Sequence, residues 1–130
     1  MSERQSRILI VDDDNQNMAF VQEILRLQGY LTCSAHDGFE GLDLFEKLSP
    51  DLVMLDWLMP RLGGNTVCRK LRRHTRGHTV PIIVMTGLTE PEDRQAALDA
   101  GADGFLTKPI ARQDLVAQVQ ALLARETPVG

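Results

Sequence analysis

Five short apolar runs alternate with amphipathic segments along this chain, and no other feature of the sequence constrains the fold as strongly. The runs are Ile8-Leu-Ile-Val11, Tyr30-Leu-Thr-Cys-Ser-Ala35, Leu52-Val-Met-Leu55, Ile82-Ile-Val-Met85 and Gly104-Phe-Leu-Thr107. The first, third and fourth are apolar at every position, the pattern of strands covered on both faces. After the first run, Met18, Val21, Ile24 and Leu25 recur at helical spacing, and Gly29 suits the residue just past a helix end. Asp37 with Glu40 reads as a cap and its box partner, opening a helix through Leu48. Thr89 with Glu92 reads the same way, with Pro91 in the first turn and Gly101 as the stop. The last helix carries Leu115, Val119 and Leu122 on one stripe, but Ala111 stands where a capping side chain is expected. Strict strand–helix alternation predicts an α/β fold: a parallel sheet, right-handed crossovers and helices on both faces. In such sheets ligands collect beyond the carboxyl ends of the strands.

The chain's 130 residues suffice for one domain with a real core. That domain is expected over residues 1–125, with Glu126-Thr-Pro-Val-Gly130 as a tail or linker stub. A net charge of −4 with no basic tract argues against nucleic-acid binding, which needs clustered Lys and Arg. Cys33 and Cys68 lack any ligand spacing and are expected to pack, as a zinc site or disulfide framework is not suggested. The first residues lack an apolar signal region and no stretch approaches a membrane span, so the expected location is the cytoplasm. His36, His74 and His78 read as surface or loop residues. A nucleotide-binding domain is disfavoured because no GxGxxG follows the first run.

Polar residues follow the apolar runs closely. Asp12, Asp13 and Asp14 follow the first, Asp56 the third, Thr86 the fourth, and Thr107, Lys108 and Pro109 the fifth. If the strands are parallel, these groups converge on one rim. Carboxylates held together repel, so one takes up a proton unless a cation sits among them. Hard oxygen ligands with open positions suit Mg²⁺. A carboxylate can also act as a nucleophile, and Lys108 with Mg²⁺ can offset charge on a transferring phosphoryl group. Taken singly, each of these residues is better explained as a helix cap or turn former. Their joint placement is not.

These stretches resemble the receiver domain of bacterial two-component response regulators from about Arg7 to about Arg125. The matching pieces are Ile8-Leu-Ile-Val-Asp-Asp-Asp14, Asp51-Leu-Val-Met-Leu-Asp-Trp-Leu-Met-Pro60 with Gly64, Ile82-Ile-Val-Met-Thr-Gly87 and Gly101-Ala-Asp-Gly-Phe-Leu-Thr-Lys-Pro109. The resemblance implies strand order 2-1-3-4-5, as in the chemotaxis regulator. It implies that Asp56 is the phosphoacceptor for a sensor histidine kinase or histidine phosphotransfer protein. It assigns Asp12 and Asp13 to Mg²⁺, Asp13 directly, with Asp56 and the backbone carbonyl of Leu58 as further ligands. Lys108 would contact the phosphate, and Pro109 would follow a peptide bond that is often cis. Thr86 and Phe105 would move together as a switch, reshaping the face of helix four, strand five and helix five for an effector not identified by sequence. Such a chain is not a conventional enzyme, though it catalyses its own phosphorylation and slow dephosphorylation. Homodimerisation on phosphorylation is a further implied outcome.

Some positions depart from the family pattern. Leu58 and Leu88, two residues beyond Asp56 and Thr86, cannot hydrogen-bond an attacking water, which predicts slow loss of the phosphoryl group. Gly104 replaces an acidic residue common in receivers of winged-helix transcription factors, which bears on their usual dimer contacts. Thr107-Lys-Pro-Ile110 and Val67-Cys-Arg-Lys-Leu71 lean toward receivers of hybrid kinases or cyclic-di-GMP enzymes. Gly63 replaces an acidic residue before Gly64, with local loop consequences. Two rivals remain: a haloacid-dehalogenase-type Mg²⁺ phosphatase using Asp12 and Asp14, and a degenerate receiver that only docks. Trp57, the single tryptophan, is expected at the rim and should report Mg²⁺ binding by fluorescence.

Overall fold

A computed structural model of the chain describes residues 5–74 and 76–126. The runs are strands β1 (Arg7–Val11), β2 (Leu31–Ala35), β3 (Leu52–Asp56), β4 (Ile82–Thr86) and β5 (Gly104–Thr107). Alternating with them are α1 (Asn15–Leu27), α2 (Gly38–Leu48), α3 (Gly64–Arg73), α4 (Pro91–Ala100) and α5 (Arg112–Glu126). All pairings are parallel and the order is β2-β1-β3-β4-β5. Both expectations hold. The segment expected as a tail begins inside α5, and residues 127–130 lie outside the described residues.

Because side chains alternate across a strand, each apolar run feeds two cores. Ile8, Ile10, Leu52, Met54, Ile83 and Met85 pack on one face with Met18, Val21, Ile24 and Leu25 of α1 and Leu115, Val119 and Leu122 of α5. Leu9, Val11, Val53, Leu55, Ile82 and Val84 face Phe45 of α2, Val67, Cys68 and Leu71 of α3, and Ala97 and Ala100 of α4. All five positions of β3 and of β4 are buried. At about 1.5–3 kcal/mol for each large side chain buried, these central strands anchor whatever their carboxyl ends carry. Strand β2 lies at the sheet edge and is mostly half-exposed. Among the described residues, no helix is long and apolar enough to cross a membrane.

Helix ends follow the sequence signals with two adjustments. Gln28 closes α1 and Gly29 follows at φ 91°, as expected of a left-handed stop. Asp37 caps α2 by accepting from Glu40 N at 2.8 Å, but Glu40 reaches past the cap to accept from His36 N at 2.6 Å. The cap of α4 is Glu90, not Thr89: Glu90 N donates to Asp93 Oδ2 at 3.1 Å. Pro91 explains the shift, because it occupies the first helical position and so leaves the cap to the residue before it. His36 and His78 are exposed, while His74 is half-buried with its ring edge-on to Phe45 at 5.5 Å. Cys68 is buried and Cys33 half-buried.

The turn after β3 is held tightly. Gly64 N donates to Trp57 O at 2.9 Å, and a Cβ on Gly64 would stand 2.4 Å from Asp56 O. Arg61, at φ 69°, pairs with Asp37 at 2.9 Å and places its guanidinium 5.7 Å from the Phe39 ring centroid, tying this turn to the start of α2.

Candidate functional site

Strand register assembles the site before any side chain is considered. Val11 pairs with Leu55 and Asp56 with Met85, so Asp12 and Asp56 emerge side by side at the carboxyl ends of β1 and β3. Thr86 pairs with Thr107, which brings Lys108 to the same rim. Lys108 N donates to Thr86 O at 2.8 Å, and the Lys108–Pro109 peptide is cis.

Asp12 and Asp56 are 0% and 4% exposed, whereas Asp13 points to solvent. One carboxylate oxygen from each of the three lies within 4.8 Å of the others. Lys108 Nζ stands 3.3 Å from Asp12 Oδ2 and 3.3 Å from Asp56 Oδ1. Among the described residues Asp12 and Asp56 therefore share this ammonium with Asp13 close by, and the imbalance falls on Asp56. Burial, then the Asp12 charge, push its carboxyl up to about 7, against the pull of Lys108. Burial alone would lower the Lys108 ammonium, but Asp56 and Asp12 outweigh it and hold the group above its ordinary value. Such an all-oxygen set with excess negative charge fits a hard divalent cation.

The other expected residues flank this cluster. Thr86 is buried and its Oγ1 accepts from Leu88 N at 3.1 Å. Phe105 is half-buried one strand away, with the Arg94 guanidinium 5.1 Å from its ring centroid. It is not in the acidic cluster. The Leu58 side chain is 60% exposed just beyond Asp56, while Leu88 is partly buried against the α2–α4 side of the core. Trp57 is buried at the rim.

Two residues refine the picture. Asp14, the acid a haloacid-dehalogenase-type phosphatase would need, instead caps α1, its Oδ1 accepting from Gln16 N at 2.9 Å and Asn17 N at 3.3 Å. Asn17 belongs to the site although no motif singled it out. Its Nδ2 donates to Asp12 Oδ2 at 2.6 Å and lies 3.7 Å from Met85 Sδ. The available signal was its place in the first turn of α1, where a helix starting at the rim turns polar side chains back toward the strand ends.

Comparison with known proteins agrees with this geometry. The family model for the response regulator receiver domain matches residues 8–120. The response regulator MprA of Mycolicibacterium vanbaalenii is 47% identical over 122 residues, covering 94% of this chain and 52% of that protein. The chain thus spans about half the length of the curated relatives it matches. A two-component response regulator from Clostridium difficile superposes with a TM-score of 0.89 at 31% identity, covering 95% of this chain and 100% of that one. The receiver domain of a sensor histidine kinase from Pseudomonas aeruginosa, with a magnesium ion coordinated in its active-site cleft, gives 0.86 at 30% identity over 93% of this chain and 99% of that one. Matched by sequence over most of its length and by fold over nearly all of it, the chain belongs to the response regulator receiver domains of two-component systems.

Proposed function

We propose that Asp56 accepts a phosphoryl group from a phosphohistidine on a sensor kinase or histidine phosphotransfer protein, with Asp12, Asp13, Asp56 and the Leu58 carbonyl holding Mg²⁺. The observation that carries this reading is the Lys108 ammonium placed 3.3 Å from both Asp12 and Asp56, beside a cluster that also includes the Asp13 carboxylate. The ionised Asp56 oxygen attacks phosphorus as the P–N bond breaks, and the imidazole, already protonated on its other ring nitrogen, leaves neutral with the bonding pair. Mg²⁺ held by these residues would supply charge neutralisation to the transferring phosphoryl group. Lys108 neutralises a further oxygen. The Thr86 hydroxyl, now accepting from Leu88 N, turns to donate to the phosphoryl group. Phe105 follows into the space released, and the α4–β5–α5 face changes for an effector or a second copy. We place these events in the cytoplasm.

The test is a radiolabelled small-molecule phosphodonor offered with and without Mg²⁺, followed by mapping of the label. Label on Asp56 that requires Mg²⁺ is the expected result. Label on Asp12, or uptake indifferent to the metal, would sink the proposal.

Proton linkage gives a second expectation. With Asp56 held near 7 in the metal-free protein, ion binding must displace a proton below that pH. Mg²⁺ affinity should therefore rise about tenfold per pH unit up to about 7 and then level off. Trp57 fluorescence titrations between pH 5.5 and 8.5 would measure it, and a flat profile would contradict the assignment.

Loss of the phosphoryl group is expected to be slow, since Leu58 and Leu88 present no hydrogen-bonding group to an attacking water. Leu88→Glu should speed decay on the order of tenfold, equivalent to about 1.4 kcal/mol of barrier. A phosphate-release time course in which wild type decays faster than the variant would refute this.

A further inference from the structure

We propose that Asn17 is a positioning residue for the divalent-ion site, acting through Asp12, an inference that rests on the function proposed above. Asn17 sits in the first turn of α1, where its backbone N–H is held by Asp14 Oδ1 at 3.3 Å. From there its Nδ2 donates to Asp12 Oδ2 at 2.6 Å, a shorter contact than the 3.3 Å from Lys108 Nζ to the same oxygen. The other oxygen of Asp12 accepts from Asp14 N at 2.9 Å. Asp12 is thus fixed from both sides by the start of α1, while Lys108 is divided between Asp12 and Asp56. Without the Asn17 amide, the shared ammonium would be the partner left to Oδ2 among the described residues, and the carboxylate would be free to turn toward it.

The chemistry of the donor matters as much as its position. A carboxamide orients a carboxylate without cancelling its charge, so the site keeps its negative excess for the incoming cation. A cationic side chain at the same place would make the same contact but compete with the metal electrostatically. Groups that hold a metal-site carboxylate from behind commonly change metal affinity by about 10–100-fold when removed.

Three variants separate this role from ordinary packing. Asn17→Gln keeps a neutral donor, Asn17→Leu removes the donor at similar volume, and Asn17→Lys replaces it with a charged one. Mg²⁺ dissociation constants would be read from Trp57 fluorescence, and melting temperatures taken in chelator. Asn17→Gln should bind within about threefold of wild type, Asn17→Leu about tenfold more weakly, and Asn17→Lys more weakly still. In chelator Asn17→Lys should melt higher than wild type, because it offsets the crowded carboxylates. Opposite signs for metal affinity and metal-free stability are not expected of a residue that merely supports the helix. Equal Mg²⁺ affinity in wild type, Asn17→Leu and Asn17→Lys would overturn the inference while leaving the proposed function standing. A wild type indifferent to Mg²⁺ would remove both.

Discussion

An Asp56→Asn chain is expected to take up no measurable phosphoryl group, a loss of at least about a thousandfold, and yet to be more stable than wild type when both are metal-free at pH 8. The first half follows from chemistry: a carboxamide has nearly the shape of the carboxylate but no nucleophilic oxygen. The second follows from the charge imbalance. Burial and Asp12 raise the Asp56 carboxyl to about 7, far above an unfolded aspartate. A group whose pKa is raised on folding favours the protonated native state. Its contribution to stability is therefore complete below about pH 4 and is lost as pH rises through about 7. Each unit of such a shift corresponds to about 1.4 kcal/mol, so the cost at pH 8 is on the order of a few kcal/mol, reduced where Lys108 compensates. Thermal unfolding in chelator at pH 5 and pH 8 should show wild type losing stability across that range and Asp56→Asn losing much less. Added Mg²⁺ should raise the wild-type midpoint and leave the variant nearly unmoved. Parallel pH profiles for the two proteins would remove the electrostatic account.

Much of this site was legible because register converts sequence position into geometry. Continuous apolar runs at β1, β3 and β4 announce strands buried on both faces, and polar residues placed directly after parallel strands must meet at one rim. Asp12, Asp13, Asp56, Thr86 and Lys108 are placed by that rule alone. Side-chain reach is harder to read. Whether Asn17 turns toward Asp12 depends on the phase of α1 at its start, which Asp14 sets by capping it. The Arg61 contacts with Asp37 and Phe39 depend on a left-handed residue in an irregular turn, for which no periodicity exists. The cap of α4 lies one residue beyond Thr89, on Glu90, because Pro91 at the first helical position leaves the cap to its predecessor even though threonine is the better capping side chain.

Adjacent glycines in the turn after β3 should respond in opposite ways to a side chain, and the contrast tests how rigidly the fold holds Asp56. A Cβ on Gly64 would lie 2.4 Å from Asp56 O and 2.7 Å from Trp57 Cα, both backbone atoms that cannot rotate away. Relief requires α3 to retreat or the end of β3 to move. Strand β3 is pinned between β1 and β4 with every position buried, so the displacement is shared with Asp56 itself. Overpacking of this kind costs about 1–3 kcal/mol, or roughly 5–15 °C in melting temperature for a domain of this size. A reacting group misplaced by about 1 Å can lose about a hundredfold in rate. Gly64→Ala should therefore lower both the melting temperature and the rate of phosphoryl uptake at saturating Mg²⁺. At Gly63 the nearest atom to a new Cβ is Trp57 O at 3.8 Å, and the residue caps α3 with no side-chain acceptor. Gly63→Ser should change stability by no more than about 0.5 kcal/mol, in the stabilising direction, since serine supplies the missing cap. Equal behaviour of the two variants would mean that the α3 start is free to shift, and that the close approach of Gly64 to Asp56 does not hold that carboxylate in place.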